Sequence, residues 1–293
     1  MAETDRRFEY FMPDISMMGA PIMRKCELAR DAGFDGIEVF LWQNELTSVP
    51  EWRAKAGLAG LKLHFHEAWS YDESPKISNW VFHHLGMLPQ VPGEGLDWCQ
   101  VIEEEPVVVY AHHMRDWQRL RDNFRFQTFS LLNPVTREFV MHVSDFLDLA
   151  VRLELPLVFD TQHYATWCLG VGMVGDTQFR RFCFQKTREG ESRLWDCIRR
   201  GWEQLRPYVR EIHLNNYVPA LGELFGANIF PDPGKGMLDL ARFGQMVRES
   251  SWSGTVIPEV SPVHMWRGGY SVKRFQQLRL LAERYMTGNQ SLP

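Results

Sequence analysis

The chain has 293 residues, of which 45% are hydrophobic and 24% are charged, and its formal net charge at pH 7 is −5. These values are typical of a globular protein with a sizeable core, and the length suits one α/β barrel or two ordinary domains. The slight excess of acidic residues gives no general electrostatic reason to bind nucleic acid or an anionic membrane, so we expect neither partner.

The cysteine content and the apolar runs bear on the cellular compartment. The first residues lack the apolar stretch of a signal peptide, and no apolar run is long enough to span a bilayer. The five cysteines are Cys26, Cys99, Cys168, Cys183 and Cys197, and they form no Cys-x-x-Cys pair. We therefore expect reduced thiols rather than a disulfide framework, and a cytoplasmic protein.

Short apolar runs bounded by turn residues predict eight β-strands. They are Phe8–Ile15, Gly36–Phe40, Leu61–His66, Val107–Ala111, Phe126–Leu132, Leu157–Asp160, Arg210–Leu214 and Thr255–Glu259. Helical patterns at Pro21–Ala32, Glu51–Ala59, Val140–Leu153, Ser192–Tyr208, Leu238–Arg248 and Val272–Met286 alternate with these strands. This rhythm predicts a single α/β domain, residues 1–293, that folds as a (β/α)8 TIM barrel. An irregular insert at about residues 164–190 is a candidate lid or subunit contact, so a homo-oligomer is one expectation.

Polar side chains recur where these strands end. In a barrel of parallel strands, the active site is built at the C-terminal strand ends. Asp160 and His163 follow the sixth strand, His213 the seventh and Glu259 the eighth. Further carboxylate, imidazole and amide groups near strand ends are Glu38, His64, His66, His112, His113 and Asn133. This oxygen and nitrogen set without thiolates suits Zn²⁺, Mn²⁺, Co²⁺ or Fe²⁺.

Some of these residues also have ordinary structural interpretations. Asp160 is placed to cap the following helix, His163 could simply pack there, and Glu38 could form a buried ion pair.

Aromatic side chains would line the same mouth of the barrel. Four tryptophans follow strand ends: Trp42, Trp69, Trp167 and Trp266. Indole faces stack on sugar rings or enclose apolar substrates, and they also cover barrel rims. Arg267 and Lys235 lie on the same side and could bind a phosphate or a carboxylate. We therefore expect a small-molecule substrate, contacted by the tryptophans and Arg267 together with His66, His113 and Asn133.

Five motifs occur in a characteristic order along the chain. They are Ala32–Glu38 (AGFDGIE), Phe159–His163 (FDTQH), Ile212–Asn216 (IHLNN), Pro233–Gly236 (PGKG) and Pro258–Val260 (PEV). The ordered set resembles the xylose isomerase-like TIM-barrel superfamily, which includes sugar isomerases and epimerases, inosose dehydratase-like proteins and endonuclease IV-type enzymes. The resemblance covers nearly the whole chain and identifies it as a divergent member.

The resemblance implies one divalent metal ion, with Mn²⁺, Co²⁺, Zn²⁺ and Mg²⁺ as candidates. Asp160, His213 and Glu259 match three of the four ligands of the family, and His163 is a further candidate ligand. The fourth family ligand is a Glu that ends strand five, where this chain has Leu132. In the nuclease-like branch, an Asp-x-His precedes the Gly-x-Gly turn. This chain has Asn228 and Phe230 there, which argues against a trinuclear site and against a nuclease.

The same resemblance implies an isomerase or epimerase that acts on a sugar-like hydroxy-carbonyl compound by proton abstraction and enediolate stabilisation. The catalytic candidates are Asp160, Glu259, His163 and Glu38. Glu259 would be one base, and Glu38, Glu67 or His163 the second.

Other functions remain open from the sequence. Related lyase chemistry is one alternative. Another is a metal-free enzyme that performs acid–base chemistry with Asp160, His163 and His213 on a bulky metabolite. A third is a non-catalytic barrel that binds a small molecule.

Overall fold

A nearly closed ring of parallel strands forms the centre of the molecule. The computed structural model describes residues 7–17, 19–41, 43–67, 105–110, 127–130, 151–152, 156–168, 187–218, 233–260, 265 and 270–289. The strands are β1 (Phe8–Pro13), β2 (Gly36–Leu41), β3 (Lys62–Glu67), β4 (Val107–Tyr110), β5 (Gln127–Ser130), β6 (Leu157–Asp160), β7 (Val209–His213) and β8 (Gly254–Ile257). They form one sheet in the order β5-β4-β3-β2-β1-β8-β7-β6, and β5 also contacts β6. The predicted (β/α)8 TIM barrel is confirmed.

Helices follow many of the strands. In the described part of the chain they are α1 (Ile22–Asp31), α2 (Val49–Ala59), α3 (Thr161–Cys168), α4 (Arg188–Leu205), α5 (Leu240–Glu249) and α6 (Val272–Thr287). The side chains of Thr187 and Asp239 accept hydrogen bonds from first-turn N–H groups of α4 and α5. Gly60 and Gly288 end α2 and α6 in the left-handed conformation that glycine adopts without strain. None of the helices in the described ranges combines the length and apolar content needed to cross a bilayer.

An apolar layer between the strands and the helices orients the side chains of β6. The ring of Phe159 packs outward, with its centroid 5.3 Å from that of Trp202 on α4 and 5.6 Å from that of Phe243 on α5. Because successive side chains of a strand point to opposite faces, Asp160 then points into the barrel. The position of an apolar ring on the outside therefore determines where the neighbouring carboxylate lies.

The first strand is shorter than the sequence predicted. β1 ends at Pro13 rather than at Ile15, and a 3-10 turn follows at Asp14–Met17. Proline has no N–H to donate to a sheet, which accounts for the end of the strand. The buried Asp14 carboxylate accepts a hydrogen bond from the Phe40 N–H (2.7 Å) and pairs with Lys25 (2.8 Å).

The region predicted as an irregular insert is partly helical. Tyr164–Cys168 belong to α3, and residues 188–190 belong to α4, so both ends of this region include helix. Residues 169–186 lie outside the described ranges. Of the predicted helix Val140–Leu153, only residues 151–152 are described, and they are helical.

A disulfide joins α3 to α4, so the expectation of reduced thiols was wrong for this pair. Cys168 and Cys197 are bonded, with their Cα atoms 6.2 Å apart and a sequence separation of 29. The pairing depends on how the two helices pack, which the spacing of the cysteines does not reveal. Cys26 is a free, buried thiol.

The Pro-Gly-Lys-Gly turn is fixed to the end of β7. The Asn216 amide donates to the carbonyl oxygens of Pro233 (2.9 Å) and Leu238 (3.1 Å). Gly236 has φ +153°, and a Cβ there would lie 2.2 Å from Asn216 Oδ1, so only glycine fits. Lys235 is exposed.

Candidate metal centre

Three of the predicted ligands meet inside the barrel. Asp160 pairs in register with His213 on the neighbouring strand, and Glu259 follows β8, the next strand along. His213 Nδ1 lies 3.8 Å from Asp160 Oδ2 and 3.4 Å from Glu259 Oε1. One donor atom from each of the three residues lies within 4.8 Å of the other two. All three side chains are buried, so they form a compact set of two carboxylates and one imidazole.

Asn215 connects the two carboxylates of this set. Its amide nitrogen donates to Asp160 Oδ2 (3.1 Å) and to Glu259 Oε2 (2.7 Å). Its amide oxygen accepts from the Gln162 N–H (2.9 Å) and from the Thr161 hydroxyl (3.0 Å). Because Asn215 is completely buried, these bonds are formed away from competing water. Asn215 belongs to the Ile212–Asn216 motif, but no role was predicted for it from the sequence.

The two carboxylate oxygens of Asp160 have different surroundings. Its Oδ1 accepts a hydrogen bond from the His163 N–H at the start of α3 (2.6 Å), which is an N-cap bond. Its Oδ2 faces His213 and Asn215. The cap thus fixes the carboxylate so that one oxygen is directed at the cluster.

A second set of donors lies on the other side of the same imidazole. One donor atom each from Glu38, His66 and His213 lies within 4.8 Å of the others. His213 Nε2 is 3.1 Å from Glu38 Oε1. Glu38 is on β2, so this contact spans the interior of the barrel. The Phe40 ring stacks on His66 at 4.1 Å and forms part of the apolar lining.

Glu211 forms a hydrogen-bonded chain with two histidines. Its Oε1 accepts from His213 Nε2 (2.9 Å), and its Oε2 lies 2.5 Å from His64 Nδ1. Glu211 was not predicted as a site residue, although the alternation in β7 contains the necessary signal. Arg210 is exposed while Glu211 and His213 are buried, and residues two apart in a strand share a face.

Burial and the closeness of these groups shift the pKa values of the carboxylates and of the His213 imidazole. Burial raises the pKa of Glu259 to about 8, even though His213 opposes the shift. Burial likewise raises the pKa of Glu38 to about 7. Burial would also raise the pKa of Glu211, but His64 and His213 outweigh it and lower that pKa to about 2. Burial works against protonation of His213, yet Glu38 and Glu259 raise its pKa well above the ordinary value of 6.5.

The chemistry of the donor set fits a divalent cation. Asp160, Glu259 and the imidazole of His213 provide oxygen and nitrogen donors, and no thiolate takes part. The two carboxylates are close enough that a cation between them would relieve their mutual repulsion. The described residues therefore offer three candidate ligands of the kinds found in catalytic metal sites.

The other predicted site residues have different outcomes. His163 has its Nε2 3.8 Å from Asp160 Oδ2, but it does not belong to either three-donor set. Its metal-binding and catalytic roles stay predictions. Several predicted residues lie outside the described ranges, or have backbone only described, and their roles also stay predictions: Trp42, Glu67, Trp69, His112, His113, Leu132, Asn133, Trp167, Asn228, Phe230, Trp266 and Arg267.

Comparisons with known proteins establish the fold. No family model matches the sequence, and no curated protein sequence matches it either. D-psicose 3-epimerase from Clostridium cellulolyticum H10 has a similar structure, with a TM-score of 0.53 and 11% identity over 97% of this chain and 99% of that one. A xylose isomerase domain protein from Alicyclobacillus acidocaldarius matches with a TM-score of 0.58 and 14% identity, over 96% of this chain and 98% of that one. The 3-keto-D-glucoside 4-epimerase of E. coli matches with a TM-score of 0.53 and 12% identity, over 92% of this chain and 99% of that one.

Each of these alignments covers at least 92% of this chain and at least 98% of the solved structure. The resemblance to xylose isomerase-like TIM barrels is thus confirmed, and at this level of identity it is a resemblance of fold.

Proposed function

We propose that the protein is a divalent-metal-dependent isomerase or epimerase, or a related lyase, that acts on a sugar-like hydroxy-carbonyl substrate. The observation that carries the proposal is the buried convergence of Asp160, His213 and Glu259, with donor atoms within 4.8 Å of one another. Sugar epimerases of the same fold add support. The substrate is expected to be a small molecule, because the site lies inside a barrel.

Asp160, His213 and Glu259 would hold the ion. When bound, it would supply Lewis-acid polarisation of a carbonyl oxygen and stabilise the negative charge of an enediolate. Mn²⁺, Co²⁺, Zn²⁺ and Mg²⁺ are the candidates, and the single imidazole among carboxylates accommodates all four. Asn215 keeps the two carboxylates in place through one amide.

The proton transfers fall to the carboxylates and imidazoles of the chain. Glu259 takes the proton beside the carbonyl, because it is a buried carboxylate beside the proposed ion and a carboxylate can act as a general base. An epimerase needs a second group on the opposite face of the substrate to return the proton. Glu38 and His163 are the candidates whose side chains are described, and burial raises the pKa of Glu38 to about 7.

Elemental analysis tests the metal site directly. The wild-type protein should contain about one divalent ion per chain. Asp160→Ala/Glu259→Ala should lose it while remaining folded. Glu203→Gln, which changes an exposed carboxylate on α4, is the matched control and should keep its metal. Unchanged metal content in the double variant would refute the site.

Isotope exchange tests the reaction class. Wild-type protein incubated with a panel of ketoses in D2O should incorporate solvent deuterium at the carbon beside the carbonyl. Glu259→Gln should abolish the exchange. Glu38→Gln and His163→Gln separate the candidates for the second base. Loss of the true second base should still allow deuterium exchange but block inversion of the carbon beside the carbonyl. If no ketose or related hydroxy-carbonyl compound exchanges, the proposed chemistry is wrong.

A metal-free acid–base enzyme is the second candidate, and one observation favours it. His213 is surrounded by carboxylates and has a strongly raised pKa, so without a cation it is an imidazolium that can donate a proton. Tight, stoichiometric metal in protein prepared without added metal would exclude this alternative. Turnover that survives exhaustive chelation would instead favour it over the metal-dependent reaction.

A further inference from the structure

The imidazole of His213 faces a different donor set through each of its nitrogens. Nδ1 faces Asp160 and Glu259, whereas Nε2 lies 3.1 Å from Glu38, which with His66 forms the second set. A neutral imidazole has one lone-pair nitrogen and one N–H. Only one of the two sets can therefore use His213 as a ligand in a given tautomer.

Glu211 determines which nitrogen of a neutral His213 imidazole carries the proton. Its Oε1 accepts the hydrogen bond from Nε2 at 2.9 Å. Glu38 is near the same nitrogen, but its carboxylate oxygens have no hydrogen-bond partner among the described residues. The N–H at Nε2 is thus directed at Glu211, which leaves the lone pair of Nδ1 facing Asp160 and Glu259.

The Glu211 carboxylate is itself fixed from across the barrel. His64 on β3 lies 2.5 Å from Glu211 Oε2 through its Nδ1, and the ring of Phe11 packs against His64 at a centroid distance of 4.3 Å. Glu211 is 1% exposed and His64 is 8% exposed, so water does not compete for these bonds. The pair is a rigid support for the His213 ring.

We propose that Glu211, supported by His64, is a positioning residue that directs the ion to the Asp160–Glu259 side of His213 and away from the Glu38–His66 side. The inference rests on the proposed metal site. A carboxylate that accepts the second N–H of a ligating histidine fixes its tautomer and raises its basicity, and loss of such a partner typically weakens metal binding about 10–100-fold.

The test is titration of the metal-free protein with Co²⁺ alone, followed by the visible absorption spectrum of the bound ion. Glu211→Ala should weaken Co²⁺ binding about 10–100-fold and alter the spectrum, because the ligand set changes. Glu211→Gln keeps an oxygen that accepts from Nε2, so it should bind Co²⁺ within about threefold of wild type. Glu203→Gln should match wild type in both readouts.

Two double variants complete the test. One separates loss of affinity from misfolding, and the other asks whether residual Co²⁺ binds on the Glu38–His66 side. Glu211→Leu/His64→Leu removes both partners of the buried Glu211–His64 pair, so neither is left with an unpaired polar group, and only His213 Nε2 loses its acceptor. It should show the same loss of affinity. In Glu211→Ala, the residual Co²⁺ should move to the Glu38–His66 side, so Glu211→Ala/Glu38→Gln should lose the residual binding.

The outcomes are distinct. Wild-type affinity and spectrum in Glu211→Ala and in the double Leu variant would overturn the inference and leave the metal site intact. Equal losses in the Ala and Gln variants would also overturn it, because charge rather than the hydrogen bond would then be responsible. No Co²⁺ binding by the wild-type protein would refute the metal site of the proposed function and this inference with it.

Discussion

At the scale of single residues, Asn215 couples the two carboxylates of the site to the start of α3. We expect Asn215→Leu to weaken Co²⁺ binding about 10–100-fold, because Asp160 and Glu259 lose a shared donor. It should also lower the free energy of unfolding by ~1–3 kcal/mol for each buried group left unsatisfied. Competitive metal titration and urea unfolding measure the two effects.

The neighbouring Asn216 provides the matched control. It is equally buried and forms four hydrogen bonds, but they stabilise the turn before α5 rather than the carboxylates. Asn216→Leu should therefore destabilise the fold and leave Co²⁺ affinity close to wild type. Equal Co²⁺ affinity in the two variants would show that Asn215 has no specific role at the site.

The sequence could single out polar residues at the ends of predicted strands but not a polar residue in the middle of one. Asp160, His213 and Glu259 stand at visible strand ends, and the structure brings them together. Glu211 was missed because a single Glu within a charged segment reads as a surface residue. Its partner His64 lies on β3, 147 residues away in sequence, and only the closure of the ring brings the two together.

At the scale of elements, helix boundaries were predicted well where a flanking proline or glycine marks them. α1 was predicted as Pro21–Ala32 and spans Ile22–Asp31. The short α3 was only anticipated through its cap at Asp160, since eight residues give little periodicity. Its packing on α4 is a tertiary property, and the disulfide between them depends on it.

The contact between α3 and α4 requires glycine at position 201. A Cβ at Gly201 would lie 1.8 Å from the Tyr164 hydroxyl oxygen, and Tyr164 is almost fully buried. We expect Gly201→Ala to lower the free energy of unfolding by about 1–3 kcal/mol through overpacking. Gly57→Ala in α2, where a Cβ would meet nothing within 4 Å, should instead stabilise by roughly 0.5–1 kcal/mol. Urea unfolding of both variants checks the difference, and a loss of equal size in both would contradict it.

The disulfide between Cys168 and Cys197 should stabilise the same pair of helices. It closes a loop with a sequence separation of 29, for which chain entropy gives roughly 3–4 kcal/mol. Reductant should therefore lower the urea midpoint of wild-type protein. The variant Cys168→Ser/Cys197→Ser should have a low midpoint that reductant does not change. A wild-type midpoint that is insensitive to reductant would mean that the pair contributes no stability.

At the scale of the whole molecule, the candidate metal site concentrates ionisable groups at the centre of the barrel. Glu38, Glu211, Asp160 and Glu259 all lie near His213. Without a cation, the fold accommodates them by keeping some carboxyls protonated, which links stability to pH. A bound ion would remove this cost, and Co²⁺ at 100 times its Kd should stabilise the fold by ~2.7 kcal/mol.

The sign of the pH dependence follows from the direction of each pKa shift. Glu38 and Glu259 have pKa values of about 7 and about 8 in the folded protein, against an ordinary value of 4.5. Between pH 4.5 and 8 the folded state therefore binds more protons than the unfolded state, so stability falls as pH rises. The raised pKa of His213 acts in the same direction above pH 6.5. Glu211, with its pKa lowered to about 2, stabilises the fold evenly across this range.

Metal-free protein should accordingly lose stability steadily between pH 6 and pH 9. Denaturant unfolding of chelator-treated protein at several pH values measures the slope. Glu38→Gln/Glu259→Gln removes the two carboxyls with raised pKa values, so its slope should be clearly smaller than that of wild type. Glu203→Gln, which alters an exposed carboxylate, should keep the wild-type slope. If the double variant and wild type lose stability in parallel, the buried carboxyls do not govern the pH response, and the centre of the barrel is less strained than its geometry indicates.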